Sequence, residues 1–168
     1  MQLYTMSKML CEENVNVVTR DMGVDDLPEV LSIEAVSFPR PWTEGMFREE
    51  LRSPLCRTRV AEVKGRIIGY ISYSLILDEI HLRNIAVRTG WQRQGIASVL
   101  LEEMFDGAVS RNIRWATLEV RPSNMAALQL YKKFLFSVRG IRRNYYTETG
   151  EDAIILWADV SGIMKKKK

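Results

Sequence analysis

The sequence contains few of the side chains that build metal centres and disulfide frameworks. Its 168 residues include one histidine, His81, and two cysteines, Cys11 and Cys56. A single histidine excludes a multi-histidine metal site, and the two cysteines fit neither metal-ligand spacing nor a disulfide framework. Two cysteines without such a spacing are typical of a protein in a reducing compartment, where they stay thiols. We therefore expect a cytoplasmic protein without a metal.

Long apolar runs and strong charge are also missing. No segment approaches the roughly 20 apolar residues of a membrane-spanning helix, and the N-terminus lacks the apolar core of a signal peptide. The net charge is +3, but Lys165 to Lys168 supply four positive charges, and the other 20 basic residues face 21 acidic ones. A nearly neutral body argues against direct nucleic-acid binding. We expect neither a membrane nor a nucleic acid as partner.

The length and the apolar fraction of 46% fit one domain with a full core. We place that domain at residues 14–160. A disordered extension is predicted over residues 1–13 and a disordered basic tail over residues 161–168.

Apolar periodicity and turn residues predict the order β-α-α-β-β-β-α-β-α-β-β, which implies a mixed α/β sheet. The second half contains a strand at 79–87, a helix at 95–110, a strand at 114–120 and a helix at 124–134. Earlier in the chain, Pro39 and Pro41 end a first helix, and Thr43 caps a second.

A segment with one glycine joins the strand at 79–87 to the following helix. Backbone N–H groups at a helix start, with the positive end of the helix dipole, bind phosphates, and Arg93 adds a positive charge. The segment lacks the Gly-Lys-Ser/Thr ending of a P-loop and the repeated glycines of a dinucleotide fingerprint. It therefore predicts a different ligand that carries phosphate or pyrophosphate.

The spacing Gln92-x-x-Gly95-x-Ala97 resembles the pyrophosphate loop of the GNAT family, the acyl-CoA-dependent N-acetyltransferases. Together with Phe38–Thr43, Leu118–Asn124, Tyr131 and Arg142–Tyr146, it resembles the RimI-type branch, which acetylates protein N-termini. The resemblance covers residues 15–160. It implies the GNAT fold, a mixed and mostly antiparallel sheet flanked by helices, whose central strands, here 80–87 and 114–120, splay around the pantetheine arm of CoA.

The resemblance also implies acetyl-CoA as cosubstrate and names residues for it. The backbone of Ile85, Ala86 and Val87 would hold the acetyl carbonyl and the upper pantetheine. Asn124 would contact the pantetheine arm. The pyrophosphate would lie on Arg93, Gln94, Gly95, Ile96, Ala97 and Ser98.

Acetyl transfer needs a group that takes a proton from the amine and one that protonates the leaving thiolate. A carboxylate at the end of a central strand can lose part of its hydration and act as a base. The resemblance gives the role of base to Glu119 and that of acid to Tyr131. Plainer readings remain open: Glu119 pairs with Arg121, Asn124 caps a helix, and Tyr131 is a core aromatic.

Aromatic residues resemble the family's acceptor site. Phe38, Trp42, Tyr145 and Tyr146 would contact an extended peptide, or they pack the edge of the sheet. The resemblance implies a ribosomal protein with an N-terminal alanine as acceptor. Two other functions remain open: acetylation of a small-molecule amine, and a CoA-responsive binding module. His81 is read as structural, with a base acting through water as the alternative.

Overall fold

The structure, a computed structural model, describes residues 8–10 and 15–166. In chain order, its elements are β1 (Lys8–Leu10), β2 (Val15–Asp21), α1 (Leu27–Ser37), α2 (Glu44–Arg52), β3 (Cys56–Val63), β4 (Arg66–Ile76), β5 (Glu79–Val87), α3 (Ile96–Val109), β6 (Trp115–Val120), α4 (Met125–Lys133), β7 (Ser137–Tyr146), β8 (Glu151–Asp159) and α5 (Val160–Lys166). The predicted elements of the second half are present, with ends shifted by at most one residue. Within the described ranges, no helix is long and apolar enough to cross a membrane.

Both chain ends differ in part from the predicted disorder. Residues 8–10 form β1, which pairs antiparallel with β2. Residues 160–166 form α5, because Val160 and Ile163, three positions apart, are both buried and so lie on one helix face. Residues 1–7, 11–14 and 167–168 lie outside the described part of the chain.

The chain forms two compact units, each made from two stretches of sequence. The first unit comprises the described residues up to Tyr73 together with Asn84–Glu103, and the second comprises Ser74–Arg83 with the described residues from Met104 onward. Because β4, β5 and α3 each contribute residues to both units, no single cut in the chain separates them. The domain boundaries given above stay a prediction.

In the first unit, the sheet runs in the order β1-β2-β3-β4 and continues with the last residues of β5. Helix α1 begins with Pro28 in its first turn, a position where a proline's missing N–H costs nothing. Its inward residues Val30 and Ile33 are fully buried. Helix α2 begins as predicted: the Thr43 hydroxyl accepts the Met46 N–H at 3.3 Å.

In the second unit, the strand order is β5-β6-β8-β7. Strand β6 pairs with β8 antiparallel along its whole length. With β5 it pairs in parallel, and among the described residues this pairing comprises only Glu79–His81 against Trp115–Thr117. Residues 118–120 of β6 are therefore paired on the β8 side alone. The splay of the central strands that the resemblance implies stays a prediction.

Gly69 of β4 lies close to neighbouring elements of the first unit, so a substitution there tests how tightly this unit is packed. A Cβ there would stand 3.0 Å from the Ala86 carbonyl oxygen and 3.3 Å from Ile96 Cγ2. Since both neighbours belong to regular elements, Gly69→Ala should lower the free energy of unfolding by about 1–3 kcal/mol. Urea denaturation measures this. The control is Gly107→Ala in α3, where nothing lies within 4 Å and a gain of about 0.5–1 kcal/mol is expected. Unchanged stability of Gly69→Ala would contradict the prediction.

Candidate active site

The loop between β5 and α3 (residues 88–95) presents backbone donors at the start of a helix. Arg93 and Gly95 have left-handed φ angles of 64° and 83°. The side chains of Gln92 and Gln94 donate back to the carbonyls of Val87, at 3.1 Å, and Gly90, at 3.0 Å, and so close the loop on itself. Among the described residues, no protein acceptor receives the N–H groups of residues 93–97. Successive free amides of this kind form an anion-binding concavity.

Arg88 anchors the beginning of this loop to the sheet. Its N–H donates to the Ile68 carbonyl at 2.8 Å, and its Nε donates to the Ile67 carbonyl at 2.9 Å. Its guanidinium also pairs with Glu29 of α1 at 3.2 Å. Just before it, the predicted donor-binding residue Ala86 is buried, and Ile85 and Val87 are half-buried. The sequence analysis missed Arg88, since no motif distinguishes it from the other arginines.

The aromatic residues of the loop between α1 and α2 (residues 38–43) face the core of the first unit. Phe38 and Trp42 are partly buried against this core. The Trp42 ring lies 5.2 Å from the Phe47 ring. Both therefore pack, as one reading of the sequence expects. Their role in substrate binding stays a prediction.

Glu34 of α1 is a buried carboxylate beneath this loop, with 1% of its surface exposed. It accepts hydrogen bonds from the Trp42 N–H at 2.7 Å, from the Asn84 side-chain amide at 3.1 Å to each oxygen, and from the Tyr70 hydroxyl. Burial raises the pKa of Glu34 above its ordinary value, although these donors act in the opposite direction. Burial and the neighbouring Glu34 also raise the pKa of Tyr70. The sequence analysis missed this network.

In the second unit, the predicted base Glu119 lies on β6 with 31% of its side chain exposed. Its Oε1 is 3.3 Å from an Arg142 nitrogen on β7. Arg121 has other partners: it contacts Glu148 and donates to the Thr149 hydroxyl at 2.6 Å. The alternative reading, a pair of Glu119 with Arg121, is therefore wrong: the partner is Arg142 on β7, two strands away from β6 in the sheet. Glu119 therefore retains access to solvent, and its role as the base stays a prediction.

Tyr131 and Asn124 lie on α4 and at its start. Tyr131 is 5% exposed and packs edge-on against Phe136, with ring centroids 5.6 Å apart. Burial, and secondarily Tyr146, raise the pKa of Tyr131 well above its ordinary value, so its hydroxyl keeps its proton at neutral pH. Asn124 caps α4 by accepting the Ala127 N–H at 3.1 Å. The core and capping readings are thus both correct, and the catalytic and CoA-binding roles stay predictions.

Tyr145 and Tyr146 end β7, and they differ in how firmly they are held. The Arg121 guanidinium lies 3.8 Å above the Tyr146 ring, and the half-buried position raises the pKa of Tyr146 to about 12. Tyr145 is 44% exposed, and its ring meets that of Tyr146 edge-on at 5.0 Å. Arg121 also binds the turn between β7 and β8 (residues 147–150), so Tyr146 is the fixed member of the pair.

His81 of β5 is paired within its own strand, and its structural role stays a prediction. Its Nε2 lies 2.7 Å from a carboxylate oxygen of Glu79, two residues earlier on the same strand. Across the described ranges, no group of three or more His, Cys, Asp or Glu side chains could hold a metal ion.

Comparison with known proteins identifies the family. The family model described as "Acetyltransferase (GNAT) family" matches residues 27–136. The chain belongs to the GNAT acetyltransferase family. It is 37% identical over 138 residues to the ribosomal protein bS18-alanine N-acetyltransferase of Escherichia coli (strain K12), covering 81% of this chain and 93% of that protein. A protein of the same name from Salmonella typhimurium (strain LT2) is 36% identical over 142 residues, 83% and 95% of the two chains.

A solved structure supports the same relation. The crystal structure of the ribosomal-protein-S18-alanine N-acetyltransferase from Escherichia coli is similar with a TM-score of 0.79 at 34% identity, covering 86% of this chain and 94% of that one. The predicted GNAT fold, acetyltransferase class and RimI-type resemblance are therefore confirmed.

Proposed function

We propose that the protein transfers the acetyl group of acetyl-CoA to the α-amine of a protein N-terminus, the N-terminal alanine of a ribosomal protein. One observation carries this proposal: the chain is 37% identical to a ribosomal protein bS18-alanine N-acetyltransferase over 93% of that relative's length. Because the similarity extends over nearly the whole relative, this chain contains the segments that would form the same acetyl-CoA and acceptor sites. Fold alone would not specify the acceptor.

The donor site in this proposal begins at the start of α3. The free N–H groups of the loop and the helix dipole favour an anion there, and Arg93 adds charge. These features support placing the CoA pyrophosphate on residues 93–98. The backbone of residues 85–87 would hold the acetyl carbonyl and the upper pantetheine, and Asn124 would contact the arm.

The chemistry is direct transfer. The amine nitrogen attacks the thioester carbonyl carbon, a C–N bond forms, and the C–S bond breaks as the tetrahedral intermediate collapses. Glu119 takes the proton of the attacking amine, and Tyr131 donates a proton to the leaving thiolate. The partial exposure of Glu119 supports its role, because the proton can pass on to water. The burial of Tyr131 supports its role, because the hydroxyl stays protonated.

Mass spectrometry of peptides incubated with acetyl-CoA and the protein tests the proposed function. The peptides begin with Ala, Ser or Met, and each has an N-terminally blocked twin that carries a free lysine. We expect a gain of one acetyl group on unblocked peptides only, with the greatest rate for Ala. A gain on the blocked twins, or no gain on any peptide while acetyl-CoA still binds, would refute α-amine transfer.

Substitution of Glu119 and Tyr131 tests the mechanism. Glu119→Gln and Tyr131→Phe should each lower kcat by about 10²–10⁴-fold, the usual contribution of a general base or acid. Acetyl-CoA binding by calorimetry should remain within threefold of wild type. The control is Arg143→Gln on β7, where Arg143 pairs with Asp152 at 2.6 Å on the surface; its kcat should not change. Glu119→Gln with full activity would exclude Glu119 as the base.

Two glycines with the same backbone strain test the donor loop. Gly95 (φ 83°) and Gly90 (φ 89°) both have left-handed backbones, so alanine costs about 1–2 kcal/mol at either position. Gly95→Ala should weaken acetyl-CoA binding at least tenfold, because it displaces the amides at the start of α3. Gly90→Ala should change this affinity less than threefold. Equal losses in calorimetric titrations would mean that strain, rather than amide placement, sets the affinity.

A further inference from the structure

We propose that Glu34 is a positioning residue for the acceptor: its buried carboxylate fixes the loop between α1 and α2, against which the peptide N-terminus would bind. The inference rests on the proposed function, since the predicted acceptor residues Phe38 and Trp42 belong to this loop. It adds a residue that neither the motifs nor the resemblance identified.

The composition of the loop explains why it needs an external acceptor. Pro39 and Pro41 have no N–H group, so between Phe38 and Trp42 only three backbone donors exist: those of Phe38, Arg40 and Trp42. The first donates to the Glu34 carbonyl at 3.2 Å, and the last donates to the Glu34 carboxylate at 2.7 Å. Two of the three donors thus end on one residue, which closes the loop at both ends.

The carboxylate is itself held in place. A buried carboxyl group is tolerated only when its oxygens are hydrogen-bonded. Asn84 of β5 donates to both oxygens at 3.1 Å, and the Tyr70 hydroxyl of β4 donates to one of them. The loop is therefore tied through Glu34 to two strands of the sheet, and the exposed Pro39, Arg40 and Pro41 are displayed on a fixed base.

The consequence for catalysis is specific to peptide binding. When the loop is already ordered before the peptide arrives, peptide binding does not include the entropy cost of ordering it. Without the Glu34 acceptor, that cost would fall on peptide binding and raise KM for the peptide, with kcat little changed. If Glu34 were merely a core residue, its loss would lower stability and affect both substrates alike.

Steady-state kinetics of Glu34→Leu and Tyr70→Phe distinguish these cases. Leucine has no acceptor for the Trp42 N–H, whereas glutamine would keep an amide oxygen there, so Glu34→Leu should raise KM for the peptide at least tenfold, with kcat and KM for acetyl-CoA changed less than threefold. Tyr70→Phe removes one donor to the carboxylate but retains the bond from Trp42, so its peptide KM should rise less than threefold. Equal peptide KM values for the two variants would overturn the inference.

Hydrogen exchange of the Trp42 amide, followed by NMR, is a readout that does not need acetylation. This amide should exchange at least tenfold faster in Glu34→Leu than in wild type, and less than threefold faster in Tyr70→Phe. If Glu34→Leu does not fold, Glu34→Asp replaces it, because its carboxylate is one methylene farther from Trp42. Persistent protection in the folded variant would refute the inference. Inactivity of the wild-type protein would refute only the proposed function.

Discussion

The hydrogen bond from the Trp42 N–H to the buried Glu34 carboxylate is the interaction on which the loop between α1 and α2 depends. It joins helix α1 to a loop whose prolines leave it few donors of its own. A carboxyl group with 1% exposure would be costly to bury without partners, but here each oxygen accepts two hydrogen bonds. The polar network specifies one loop conformation, whereas apolar packing of Phe38 and Trp42 alone would accept several.

In the second unit, the guanidinium of Arg121 holds a segment in place, as the carboxyl group of Glu34 does in the first. Arg121, with 15% of its side chain exposed, stacks on Tyr146 and binds Glu148 and Thr149 of the following turn. Because a guanidinium has five donors in a fixed plane, it can hold a ring and a turn at the same time. In each unit, one charged side chain fixes a segment predicted to contact the acceptor, and the aromatic residues are positioned by it.

Local patterns were sufficient for the elements from β2 to β8 and for the strand-loop-helix junction at Gly95, but not for β1 or α5. Gly95 must adopt a left-handed φ, and this requirement is visible in the sequence because only glycine does so readily. The partners of Glu34 were not predictable, since Tyr70 and Asn84 lie 36 and 50 residues away and no periodicity records such pairs. The same holds for Arg142, which replaces the nearer Arg121 as partner of Glu119 through the register of β7 and β8.

The burial of Tyr131 bears on how a tyrosine could serve as an acid. An ordinary tyrosine has a pKa of about 10 and a thiol of about 8.5, so proton transfer to a thiolate is uphill, and burial raises the pKa of Tyr131 further. A low-dielectric site also destabilises a thiolate and raises the pKa of its thiol. If Tyr131 protonates the leaving sulfur, the shared desolvation largely cancels, and the transfer is no harder than in water. If Glu119 is the base, the same reasoning does not extend to it: its proton would have to reach solvent after each turnover, and its side chain, 31% exposed, gives the proton that route.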